Sequence, residues 1–150
     1  MQFKELLLPD FITEYSDSTV LRALRLYADL HADTQPDDIE SLDESLDNFT
    51  GQRTFIALDA DSRVQAVGNY ALRPDVDYAW LEGLVVSRQQ RGAGIGRYMI
   101  NNLVNVAIDD EREAIQLRST ASAQIFYEGL GFDYVGIPTV NPLMRLDISR

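Results

Sequence analysis

Arg91, Gly94 and Gly96 stand at Arg-x-x-Gly-x-Gly spacing within the stretch "RQQRGAGIGR", Arg88–Arg97, with another glycine at Gly92. Glycine lets a loop turn tightly and lets a ligand come close to the backbone. The first turn of a helix carries unpaired N–H groups and the positive end of the helix dipole. A glycine loop that opens a helix is therefore an anion site, suited above all to phosphate. Two familiar versions of such a loop fail here. A Walker loop needs Gly-Lys-Ser/Thr, but Arg97 and Tyr98 follow Gly96. A dinucleotide fingerprint starting at Gly92 or Gly94 needs glycine, or alanine, at 97 or 99, where Arg97 and Met99 stand. The Arg-x-x-Gly-x-Gly pattern remains.

The loop needs a strand before it and a helix after it, and the flanks supply both. "DYAWLEGLVVS" reads as a strand and residues 94–109 as a helix. Upstream, "RTFIALDADSRVQAVGNYAL" reads as a β-hairpin turning at "DADS". Earlier still, "FITEY" (11–15) reads as a first strand behind an N-terminal arm, residues 1–10. Two amphipathic helices follow it, "SDSTVLRALRLYADLH" and "QPDDIESLDESLDNF". The second has Pro36 at its start and Asp37 with Glu40 at capping-box spacing. Downstream, "EAIQLR" is a strand and "TASAQIFYEGLG" a short helix closed by glycine. "FDYVGIP" and "PLMRLDIS" are the final strands. The order β-α-α-β-β-β-α-β-α-β-β implies one α/β domain spanning 1–150, a mixed sheet with helices on its faces.

The bulk numbers restrict the partners. The net charge is −11, with one lysine, Lys4, against twelve arginines. That sign opposes nucleic-acid binding and favours cationic partners such as amines. Residues 31–50 hold Asp33, Asp37, Asp38, Glu40, Asp43, Glu44 and Asp47 with no Lys or Arg, either a solvated helix face or a wall that attracts a cation. With no cysteine and a single histidine, His31, neither a thiolate nor an imidazole metal site is expected. No apolar run approaches a membrane span, and no signal-peptide pattern opens the chain, so a cytoplasmic enzyme is expected.

Two blocks together carry a family resemblance. "LVVSRQQRGAGIG" resembles the acetyl-CoA signature of the GCN5-related N-acetyltransferases (GNAT), and "STASAQIFYEGLGF" resembles that family's late helix, with its Phe-Tyr-x-x-Leu-Gly-Phe ending. The resemblance covers roughly residues 11–148. It implies the GNAT fold, a mixed central sheet of about six to seven strands flanked by four helices. It also implies acetyl-CoA as co-substrate, no metal, and a small-molecule or peptide amine as acceptor. Relatives are often homodimers, although no strand here demands it.

The site residues are carried over by the same resemblance. Leu84, Val85 and Val86 would offer backbone groups to the pantetheine arm. Arg91, Gly92, Ala93, Gly94, Ile95 and Gly96 would hold the pyrophosphate, with Arg91 adding a charged hydrogen bond. The Val86 N–H would polarise the thioester carbonyl. Tyr127 matches the tyrosine that protonates the departing sulfur. Glu82 is the first candidate for the base that takes the amine proton, ahead of Asp77 and Asp75, because it alternates with Leu84 and Val86 on one strand. A β-bulge in that strand would reverse the alternation. Thr120 stands where many relatives have a cofactor-holding asparagine, so that contact would lack an amide, although Thr120 or Ser119 could cap the helix. Lacking cysteine, the chain would transfer acetyl directly to the amine. The competing reading is a catalytically inactive coenzyme-A-binding sensor or interaction module on the same fold.

Overall fold

The computed structural model describes residues 1–5, 53–87 and 94–148. Its strands are β1 (Gln2–Glu5), β2 (Arg53–Leu58), β3 (Val64–Ala71), β4 (Tyr78–Val86), β5 (Ala114–Arg118), β6 (Asp133–Tyr134) and β7 (Leu143–Asp147). Helix α1 (Ile95–Asp109) follows β4; a 3-10 turn (Ala121–Ala123) and helix α2 (Gln124–Gly129) follow β5. The seven strands form one mixed sheet in the order β1-β2-β3-β4-β5-β7-β6. β4 and β5 are parallel, so their connection has to cross over, and α1 is that crossover. The pairs β1–β2, β2–β3, β5–β7 and β6–β7 are antiparallel. The two helices expected upstream, the strand expected at 11–15, His31 and the acidic run lie outside the described residues. No described helix is long and apolar enough to cross a membrane.

The chain divides into two compact units. The first draws on Met1–Tyr70 and Gly83–Met99. Here the structure corrects the expected N-terminal arm, because residues 2–5 are a sheet strand. Phe3 stacks on Phe55 at 5.1 Å between ring centroids, and Glu5 meets Arg53 at 3.0 Å. The aromatic at position 3 thus has a partner to bury against, as a free arm would not. Phe55, Ile56, Ala57 and Leu58 of β2, with Val64, Ala66, Val67 and Tyr70 of β3, are buried. Between them, the Thr54 hydroxyl donates to Asn69 Oδ1 at 2.9 Å, satisfying a polar pair inside this core. The turn falls where "DADS" predicts it. Asp59 Oδ1 accepts the backbone N–H groups of Asp61 and Arg63, each at 2.9 Å. Those bonds, led by the one from Arg63, hold the Asp59 carboxyl below its ordinary pKa.

The second unit draws on Ala71–Glu82 and Ile100–Arg150. Ala79 and Leu81 of β4, Ala114, Ile115 and Leu117 of β5, and Met144 of β7 are buried in it. Arg145 ties the start of β4 to β7: its Nη2 lies 3.1 Å from Asp77 Oδ2 and its Nε lies 2.7 Å from Asp147 Oδ1. The strand expected over "FDYVGIP" is only Asp133–Tyr134. Gly136 takes a left-handed φ of +74°, which turns the chain out of the ladder, and residues 135–141 are exposed. The late helix expected over 120–131 is likewise shorter, a 3-10 turn leading into α2, with Gly131 at φ +98° after its end.

Candidate active site

β4 alternates between a buried and a more open side. Ala79, Leu81 and Val85 are buried, whereas Trp80, Leu84 and Val86 are half-buried and Glu82 is exposed. The parity of Ala79 and Leu81 returns at Val85, so the burial pattern keeps Glu82, Leu84 and Val86 on one side. β4 ends at Val86, and the N–H of Ser87 just after it donates to the Gln65 carbonyl at 2.8 Å. Arg91, Gly92 and Ala93 lie outside the described residues.

The chain re-enters at Gly94, with φ +83°. An L-residue with a side chain rarely adopts that φ, so glycine is required there by backbone conformation. A Cβ built on Gly94 would meet nothing within 4 Å among the described residues, so it is the backbone conformation and not crowding that calls for glycine. The first helical bond runs from Tyr98 N–H to the Gly94 carbonyl at 3.0 Å. The N–H groups of Ile95, Gly96 and Arg97 therefore precede the intrahelical ladder. No acidic side chain sits in the first turn of α1 to compete for them. Ile95, Met99, Ile100, Leu103 and Ala107 are buried along one face, which fixes the helix and hence the direction of its dipole. This end of the helix suits a pyrophosphate.

Tyr127 belongs to the second unit, on α2. It is 7% exposed, and its ring packs edge-on between Phe126 at 5.0 Å and Phe132 at 5.4 Å. Its hydroxyl makes no hydrogen bond among the described residues. Burial pushes its pKa up to about 12. The phenol is therefore protonated and has a proton to give throughout the working range of an enzyme.

Three carboxylates were candidates for the base, and their partners separate them. Asp75 is bonded to Arg73 at 2.9 Å. Asp77 receives two hydrogen bonds from Arg145, which lower its pKa and raise that of Arg145. Glu82 faces no described cation; its Oε2 accepts the Trp80 indole N–H at 2.7 Å. The expectation for Glu82 did not include Trp80 as its partner. The signal was available, since residues two apart on a strand share a face. Thr120 is exposed and starts the 3-10 turn without making a side-chain cap; its hydroxyl lies 3.4 Å from that of Ser122. Ser119 is buried and gives its hydroxyl to the Thr120 carbonyl at 2.7 Å, so neither residue caps as expected.

The acetyltransferase (GNAT) domain model matches residues 50–134, a span from β2 through α2 to β6. The chain belongs to the GNAT acetyltransferase family. Solved structures agree on the fold. Tetrahymena GCN5 superposes with a TM-score of 0.73 over 99% of this chain and 97% of that one, at 13% identity. An aminoglycoside 6'-acetyltransferase type Ii gives 0.73 over 100% and 99%, at 19% identity. An aminoglycoside 6'-N-acetyltransferase complexed with coenzyme A gives 0.69 over 97% and 94%, at 16% identity. No curated protein matches the sequence at a significant level. In this GNAT acetyltransferase, the glycine at φ +83° and the β4 segment Leu84–Val86 belong to one unit, and Glu82 and Tyr127 to the other.

Proposed function

We propose that this GNAT acetyltransferase transfers acetyl from acetyl-CoA directly to a primary amine of a small, cationic acceptor. The observation that carries the reading is Tyr127: a buried phenol with pKa about 12 and no described hydrogen-bond partner. A phenol is protonated at neutral pH, and a hydroxyl not engaged by any described group is free to give that proton to a leaving sulfur.

Bound acetyl-CoA would supply the activated acetyl group. The backbone of Leu84, Val85 and Val86 would take its amide-rich arm, and the first-turn amides of α1 its pyrophosphate. A lysine-type amine, with a free pKa of about 10.4, is mostly protonated at neutral pH. Glu82 would take the proton that the ammonium must lose before its nitrogen attacks the acetyl carbon, and the second nitrogen proton would leave as the tetrahedral intermediate collapses to the amide. Tyr127 would give its Oη proton to the sulfur as the carbon–sulfur bond breaks. The charge of −11 supports a cationic acceptor.

The test is titration of acetyl-CoA into the wild type and into Gly94→Glu, followed by an amine panel read by thiol release. A glutamate at 94 would be strained at φ +83° and would bring a negative charge to the helix N-terminus. We expect binding by the wild type, loss of at least about tenfold in the variant, and turnover of at least one cationic amine. Binding of coenzyme A without turnover of any amine would overturn the enzymatic reading in favour of an inactive binding module.

A further inference from the structure

β5 is apolar except at Gln116 and at its exposed last residue, Arg118. Ala114, Ile115 and Leu117 are buried, and among them sits Gln116, 7% exposed. Its side-chain amide makes no hydrogen bond among the described residues. Buried amides are almost always paired, because an unpaired one forfeits its bonds to water. The polar end is also not sealed in. The fully enclosed unpartnered side-chain atoms of the described residues are Gln65 Oε1 and Arg112 Nε. The amide of Gln116 therefore reaches a surface from which something can bind it.

The strand register shows what lies beside it. Gln116 is opposite Trp80 on β4 and opposite Arg145 on β7, so the three side chains share one face of the sheet. Neither neighbour serves it. The single Trp80 donor goes to Glu82, and Arg145 bonds Asp77 and Asp147. Glu82 lies two residues beyond Trp80 on the same side of β4. With strands about 4.8 Å apart and a rise of about 3.3 Å per residue, Gln116 and Glu82 are roughly 8 Å apart at their Cα atoms.

We propose that the Gln116 amide is a specificity-determining contact for the acceptor, pairing with a neutral hydroxyl or amide a few bonds from the amine that reacts. This rests on the amine-acetylating reading above. An amide presents a donor and an acceptor together. A hydroxyl or an amide answers both; the methylene chain of a plain alkyl polyamine answers neither. The favoured acceptor is thus a hydroxylated or amide-bearing amine.

The experiment compares kanamycin A (hydroxylated), lysine amide (amide-bearing) and spermidine (neither) at saturating acetyl-CoA, for the wild type, Gln116→Leu and Gln116→Met. Both substitutions keep roughly the volume of glutamine and suit an apolar strand, and melting curves verify their folding. We expect the wild type to prefer kanamycin A or lysine amide over spermidine, and the better of the two identifies the polar group. In both variants that preference should shrink about 10- to 100-fold, mainly through the acceptor KM, with the KM for acetyl-CoA within about twofold. An unchanged preference in folded variants would overturn the role of Gln116 while leaving the amine reading intact. So would a wild type that prefers spermidine. A wild type that binds acetyl-CoA but acetylates none of the three would overturn both.

Discussion

Replacing Tyr127 with phenylalanine separates chemistry from packing at the proposed proton donor. Only the hydroxyl is lost. The ring contacts to Phe126 and Phe132, at 5.0 and 5.4 Å, can be kept by the same ring shape. Because that hydroxyl has no described partner, its removal orphans no described group, and the folded state at neutral pH should hold or gain slightly. Removing a positioned general acid costs about 100- to 10,000-fold in rate. A thiolate is a better leaving group than an amine, so the lower end, about 100-fold in kcat, is expected here, with the KM for acetyl-CoA nearly unchanged. Stability against pH gives a second readout. The folded pKa is raised, so the contribution of the phenol is full below its unfolded value of 10.0 and is lost as pH rises towards about 12. That interval corresponds to about 3 kcal/mol, at about 1.4 kcal/mol per pH unit. Above pH 10 the wild type should therefore lose stability more steeply than the variant. Stopped-flow thiol release and denaturant melts at pH 7 to 12 read both effects. A kcat within about threefold of wild type would refute the general-acid argument. Parallel alkaline melts would refute the buried phenol.

Two further substitutions test the choice of base. Glu82→Gln should lower kcat/KM at neutral pH by about 100-fold, with the deficit narrowing as pH rises and the acceptor amine loses its proton unaided; a pH–rate series checks it. Asp77→Asn should leave turnover intact, because that carboxylate is held by Arg145, but it should destabilise the fold at neutral pH. The Asp77 pKa is lowered, so its contribution is present above its unfolded value of 3.8 and is lost as pH falls below it. Melting curves of variant and wild type should accordingly converge in acid.

Periodicity and glycine placement made most of the described fold legible. The β2–β3 hairpin, β4, α1 and β5 fall within a residue or so of their expected bounds, because each has a strong apolar repeat or a required turn residue. The misses have physical causes. The four residues of β1 carry too little pattern to signal a strand and so look like an arm, and what holds them is tertiary: the Phe3–Phe55 stack and the Glu5–Arg53 pair. "FDYVGIP" is apolar enough for a longer strand than β6, and the left-handed turn at Gly136 overrides it. At the site, the alternation of Glu82 with Leu84 and Val86 could be read along the chain. That Trp80 engages Glu82, and that Gln116 lies opposite Trp80 with an unanswered amide, depend on rotamers and strand register. A single strand's sequence encodes neither.

The three acidic side chains near the start and middle of β4 show why proximity in sequence is a poor guide to the base. Asp75, Asp77 and Glu82 are chemically similar, and all sit within eight residues on or just before one strand. An ion pair stabilises the charged carboxylate and so weakens it as a proton acceptor. Arg145 does this to Asp77, and the Asp75 carboxylate is taken up by Arg73. Glu82 instead accepts a neutral indole N–H, which fixes the direction of the carboxylate without placing a positive charge beside it. The same bond occupies the indole of Trp80, and so leaves its neighbour across the ladder, Gln116, without that donor. A single hydrogen bond would thereby aim the base and keep the adjacent amide available to the acceptor.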